Sequence, residues 1–153
     1  TQYYEDGRKI NDEIQAQIMD LILELNQQLQ MGVMLITHDL AVVAETCTRA
    51  IVMYLGQVVE EASVEDLFQH PMHPYTQGLI ASVPRLYAPS KERLHVIEGT
   101  VPFLNDIPTG CRFAPRCAYA TDHCYIQMPE LVPVGNQKVR CWRVCQGGGV
   151  CNG

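Results

Sequence analysis

The chain has 153 residues, 47% of them hydrophobic and 18% charged, a balance that excludes a disordered segment and leaves room for one domain or a small domain with an appended module. Its 11 Lys and Arg against 17 Asp and Glu give a formal charge of −6 with no basic block, which argues against nucleic acid as a partner. The N-terminal Thr1-Gln2-Tyr3-Tyr4-Glu5-Asp6 is neither basic nor apolar and no long apolar run follows, so neither a signal peptide nor a membrane span is expected.

Residues 1–11 are polar and carry no period, and no element is assigned to them. From Asp12 the pattern changes: Ile14, Ile18, Leu21, Ile22, Leu25 and Leu29 fall at helical spacing with polar residues between them, which predicts a helix burying one face and ending at Gly32. Val33-Met34-Leu35-Ile36-Thr37 is a short apolar run that reads as a buried strand, stopping abruptly at His38-Asp39 before helical spacing resumes with Leu40, Val43 and Ala44. Such a strand delivers His38 to its carboxyl end, where ligands sit in open α/β sheets. The alternative is a polar turn in which Thr37 or Asp39 caps the next helix and His38 is merely solvated.

A helix from Asp39 to Cys47 is expected to lead into a strand at Ala50–Tyr54, a tight turn at Leu55-Gly56-Gln57 and a returning strand at Val58–Glu61. Ser63-Val64-Glu65-Asp66 has the form of a helix start, with Ser63 as cap and Val64, Leu67 and Phe68 as the apolar face. His70-Pro71-Met72-His73-Pro74 breaks that helix. A further helix is expected from Pro74 to Val83, since proline is accepted in a first turn, and the two histidines read as turn punctuation in preference to a metal site.

Residues 84–110 contain Pro84, Pro89, Pro102 and Pro108, and only Leu94–Glu98 has the look of a strand, so the stretch reads as a linker or irregular layer. Segment 111–142 then holds Cys111, Cys117, Cys124 and Cys141 in a C-x5-C-x6-C-x16-C pattern, and residues 143–153 form a glycine-rich tail expected to be flexible. Six of the seven cysteines follow residue 110. Without an export signal they read as reduced thiolates that bind metal, not as disulfides. Zinc favours tighter C-x2-4-C pairs than these, whereas four thiolates at varied spacing suit a 4Fe–4S cluster; free or disulfide-bonded thiols are the bland alternative. Arg112, Arg116 and Arg140 flank three of these cysteines and would offset an anionic cage, while Cys47 reads as a small core residue.

Three blocks, in order, carry a resemblance. They are Ile14-Gln15-Ala16-Gln17-Ile18-Met19-Asp20-Leu21 with Ile36-Thr37-His38-Asp39-Leu40, then Met53-Tyr54-Leu55-Gly56-Gln57-Val58-Val59-Glu60 running on to His73-Pro74-Tyr75-Thr76, and then Gly110-Cys111-Arg112-Phe113-Ala114-Pro115-Arg116-Cys117 with Cys124 and Arg140-Cys141. Together, over residues 14–142, they resemble the ATP-binding subunits of oligopeptide and dipeptide ABC transporters, and the third block resembles the C-terminal extension of the peptide-transporting branch.

The resemblance implies an α/β chain, the C-terminal portion of a P-loop ATPase-type nucleotide-binding domain with a small Cys-rich module. Residues 1–83 would be the partial nucleotide-binding domain, 84–110 the linker and 111–142 the module. It implies that His38 is the switch histidine, contacting the γ-phosphate of ATP, a role that suits an imidazole able to donate a hydrogen bond and orient a nucleophile. It favours the 4Fe–4S cluster over zinc at Cys111, Cys117, Cys124 and Cys141. Partners would be membrane-spanning permease subunits and a second ATP-binding subunit, on the cytoplasmic face of the cell membrane. Where that family has an Ala-Leu-Asp loop, this chain reads Lys9-Ile10-Asn11. No G-x-x-x-x-G-K-[ST] phosphate loop occurs in the chain, so ATP with Mg²⁺ would belong to a longer subunit and these residues alone are not expected to hydrolyse it. A competing expectation is a stand-alone metal-binding regulatory or interaction module in which His38 is only a turn residue.

Overall fold

A computed structural model describes residues 2–82, 97 and 99–145. The chain divides into two compact units, 1–46 and 47–153, each with its own internal contacts.

The first unit is helical. Helix α1 spans Gln2–Leu29, so the polar opening that carried no periodic signal is helical as well. Its end comes earlier than Gly32: Gln30 takes φ 53°, a left-handed stop, and the Asn26 side-chain amide donates to the Met31 carbonyl. Helix α2, Leu40–Thr46, shares an open cleft with α1 lined by Ala16, Met19 and Val42.

Two expectations fail in this unit. Val33–Thr37 is not a strand, because a strand exists only by pairing and no neighbour among the described residues pairs with it; Met34 and Ile36 are 86% and 92% exposed. The apolar stripe of α1 is uncovered too, with Ile18, Leu21 and Leu29 more than half exposed.

The second unit is mixed α/β, built on a four-stranded antiparallel sheet of order β1-β2-β4-β3. Strands β1 (Arg49–Tyr54) and β2 (Gln57–Ser63) form the expected hairpin. Its two-residue turn is Leu55-Gly56, where φ values of 46° and 77° supply the left-handed geometry that matches strand twist. Register slips between Val52 and Met53, leaving Val59 as an extra residue on β2. That bulge breaks alternation, so the consecutive residues Val59 and Glu60 are both buried.

Helix α3 (Val64–Gln69) starts at Ser63, whose Oγ accepts from Asp66 N–H at 3.0 Å. Helix α4 (Pro74–Ala81) follows, with Pro74 in its first turn. The expected strand at Leu94–Glu98 lies outside the described residues except for Ile97, which is in no strand. Beyond it come 3₁₀ turns at Leu104–Asp106 and Ala114–Arg116, helix α5 (Asp122–Ile126), the hairpin β3 (Val132–Val134) and β4 (Gln137–Val139), and helix α6 (Trp142–Cys145).

Strand β4 pairs with β2 through Glu60↔Val139 and Glu61↔Lys138, so the Cys-rich segment continues the sheet of the first hairpin. Pro133 sits on β3, the edge strand, where its missing N–H costs no ladder bond. An aromatic trio fills the space between hairpin, α4 and the Cys-rich segment: Tyr54, Tyr75 and Phe113 lie with ring centroids 4.8–5.4 Å apart.

Candidate functional site

Cys111, Cys117, Cys124 and Cys141 all line one cavity of about 90 Å³, and none forms a disulfide. Short turns bring them there. The carbonyls of Cys111, Cys117 and Cys141 each accept from the N–H three residues on, at Ala114, Ala120 and Val144. The same turns aim an N–H two residues on, from Phe113, Tyr119 and Arg143, back at each cysteine's own sulfur. Cys124 is joined to the first turn by the Cys111 N–H, which donates to its carbonyl at 2.7 Å. Gly110 permits that approach, since a Cβ there would stand 2.3 Å from the Cys124 oxygen. At the Cys124 sulfur itself the Thr121 hydroxyl lies 3.5 Å away.

Burial pushes the thiols of Cys111, Cys117 and Cys141 above the ordinary cysteine range, and mutual repulsion among the four cysteines adds to the rise; the backbone N–H donors act in the opposite direction. An anionic cage at these positions therefore calls for a compensating cation, which is what a metal centre supplies. A single zinc ion would need sulfurs about 2.3 Å from one point. Among the described residues no three His, Cys, Asp or Glu side chains are grouped to hold one ion. The cavity has roughly the volume of three waters at about 30 Å³ each, and its four thiols are the donor set that a four-cysteine centre would use. The N–H donors aimed at three of the sulfurs favour the charged thiolate.

The arginines flanking the cysteines serve a different purpose from the expected charge balance. Arg112 Nη1 donates to the Leu55 carbonyl, Arg116 Nη2 to Ile97 O at 2.9 Å, and Arg140 to Val58 O and Pro129 O at 2.8 and 3.0 Å. Arg112 and Arg140 tie the segment to the hairpin turn and the edge of the bulge, and Arg116 ties it to Ile97. The cation in the cavity wall is Arg143, stacked 3.9 Å over the Tyr119 ring, and the sequence reading missed it.

His73 lines the same cavity and is 1% exposed. Its Nδ1 accepts from Tyr75 N–H at 3.1 Å, capping α4, and its own N–H donates to Glu60 Oε2 at 2.9 Å. Burial lowers its pKa to about 4, so it stays neutral at ordinary pH. Glu60 is fully buried and accepts from Met72 N–H as well, at 2.7 Å, so one carboxylate holds the whole 71–73 turn. Only the pairing of a bulge with a following His-Pro turn could have disclosed this, and no simple pattern does.

His38 lies in the first unit, exposed, one residue before the cap of α2. Asp39 Oδ1 accepts from Ala41 N–H at 2.9 Å and Asp39 N–H donates to Thr37 Oγ1 at 3.0 Å, so the neighbours of His38 are occupied with the helix start while its ring faces solvent.

Residues 59–124 match the family described as the oligopeptide/dipeptide transporter C-terminal region. The dipeptide transport ATP-binding protein of Haemophilus influenzae is 52% identical over 128 residues, 84% of this chain and 38% of that protein. The oligopeptide transport ATP-binding protein of Bacillus subtilis is 48% identical over 130 residues, again 84% of this chain and 39% of the relative. This chain matches the C-terminal part of the ATP-binding subunits of oligopeptide and dipeptide ABC transporters. It spans about two-fifths of the length of these relatives. No described helix is long and apolar enough to cross a membrane.

Proposed function

We propose that the chain is the C-terminal part of the energy-coupling, ATP-hydrolysing subunit of a peptide ABC importer, peripheral on the cytoplasmic face of the membrane. The observation that supports it most is 52% identity over 84% of the chain to a dipeptide transport ATP-binding protein. In this reading residues 1–83 are the end of a P-loop ATPase-type nucleotide-binding domain and 111–142 the family's Cys-rich extension. His38 donates a hydrogen bond to a γ-phosphate oxygen of ATP and helps orient the attacking water. ATP and Mg²⁺ are held chiefly by residues upstream, and the partners are permease subunits and a second ATP-binding subunit.

The same reading gives Cys111, Cys117, Cys124 and Cys141 a 4Fe–4S cluster in preference to zinc. When bound, the cluster cross-links the turns that present the four cysteines. The backbone N–H groups of Phe113, Tyr119 and Arg143 then hold negative charge on three sulfurs, Gly110 keeps the Cys111 and Cys124 turns in contact, and His73 and Phe113 close the inner wall without adding charge.

The test is extension of the chain to the relatives' full length. The upstream sequence is expected to carry a G-x-x-x-x-G-K-[ST] loop, and the extended subunit to hydrolyse ATP while residues 1–153 alone do not. An upstream sequence without that loop would sink the reading.

A further inference from the structure

The donors that meet the sulfurs of Cys111, Cys117 and Cys141 are backbone N–H groups, which any residue would supply. Two contacts differ, because they come from side chains. Thr121 Oγ1 lies 3.5 Å from Cys124 Sγ, and either atom could donate. Ligation decides the direction: a metal-bound cysteine has no proton, so the hydroxyl must be the donor. Arg143 is the second, its guanidinium stacked 3.9 Å over Tyr119 in the cavity wall that Cys117 shares. Stacking fixes the charge in place where a free arginine would swing into solvent.

We propose that Thr121 and Arg143 are positioning residues that set the electron affinity of the group held by the four cysteines, Thr121 through its hydroxyl on Cys124 Sγ and Arg143 through a positive charge fixed beside Cys117. This rests on the cluster reading above. Adding one electron to a 4Fe–4S centre adds one negative charge, shared by the core and its thiolates, with no bond made or broken. A donor or a cation at a sulfur stabilises the more negative state and raises the potential. Thr121 acts by direct contact. Thr121 and Arg143 are both exposed, so solvent weakens each share, and Arg143, which acts without touching a sulfur, loses the more.

The full chain, reconstituted anaerobically with iron and sulfide, would be titrated with dithionite as the one-electron reductant while iron content and visible absorbance are followed. Thr121→Val is expected to lower the equilibrium constant for reduction by up to about tenfold, less than the full strength of a hydrogen bond to a charged acceptor because the bond is present in both oxidation states, at unchanged iron content. Thr121→Ser keeps the hydroxyl and should titrate like the parent, and Arg143→Gln should shift in the same direction by less. A merely structural role would move iron content or stability and leave the potential alone. If Thr121→Val sheds iron while Thr121→Ser retains it, the hydroxyl holds the cluster in place and the tuning role is overturned. Loss from both, or unchanged potentials in Thr121→Val and Arg143→Gln with iron retained, overturns the proposal. A parent chain that takes up no iron fails the cluster reading itself, and this inference with it.

Discussion

The two units of the chain differ in how their apolar residues are used. In residues 1–46 the periodic signal is strong, yet Ile18, Leu21, Leu29 and Ile36 are all more than half exposed. In residues 47–153 the signal is patchier, yet Leu67, Phe113 and Val139 are 3% exposed or less. Pattern specifies which face a segment can bury; burial also needs a partner. The second unit carries its partners within itself, because β2 pairs with β1 on one side and β4 on the other and Phe113 meets Tyr54 and Tyr75.

The sharpest way to break the comparison is at His38, which is exposed in the first unit. In the extended subunit His38→Ala should lower ATP turnover by about a hundredfold or more, the scale of losing a positioned proton-handling group, and leave ATP binding and the thermal midpoint nearly unchanged. A variant that binds ATP poorly or melts early would show the residue to be structural.

Phe113→Ala is the counterpart in the second unit. It empties the centre of the aromatic trio and should cost about 3–5 kcal/mol, measured by denaturant unfolding. Activity-neutral and folding-neutral behaviour would mean that the Cys-rich segment holds together without the shared core.

Several features were legible because a local cause sufficed. The β1–β2 hairpin follows from two β-rich runs around Leu55-Gly56, α3 from its Ser63 cap, and α4 from Pro74. The β3–β4 hairpin was equally available, since Val132-Pro133-Val134 and Gln137-Lys138-Val139 flank Gly135-Asn136, a turn pair suited to a two-residue loop, but the cysteine spacing drew the reading away from it. Other features depend on non-local geometry. Burial of Glu60 needs the bulge at Val59 and the turn at Met72-His73 together, and Val33–Thr37 needs pairing strands that none of the described residues supplies. At the candidate site, the four cysteines were named from spacing, while Thr121, Arg143 and His73 reach the cavity through folding of segments up to 70 residues apart.

His73 offers a titration of the second unit alone. Its pKa falls from 6.5 unfolded to about 4 folded, so the neutral form is favoured by folding and the stability it brings is complete above about pH 6.5. As pH drops from 6.5 towards 4 the unfolded chain takes up the proton first, and stability should decline by up to about 3 kcal/mol, levelling below pH 4. His73→Asn retains a capping acceptor but cannot titrate, so its unfolding free energy should start lower and fall less steeply across that window. Parallel pH slopes for the two proteins would refute the assignment.

The smallest expected effect compares two caps of the same kind. Ser63 Oγ accepts from Asp66 N–H in the second unit, and Asp39 Oδ1 accepts from Ala41 N–H in the first. Loss of such a cap costs about 1 kcal/mol wherever helix formation is coupled to a cooperative core. Helix α3 carries Leu67, 1% exposed, and follows directly from β2, so Ser63→Ala should lower the unfolding free energy of the second unit by that amount. Helix α2 has no fully buried residue, so Asp39→Ala should fray the segment after His38 and leave the second unit's midpoint where it was. Hydrogen exchange at Ala41–Val43 and at Leu67–Phe68 would separate the two cases: rapid exchange at the first pair with no global loss is the expected outcome. Equal global losses from both variants would mean that the two units unfold as one.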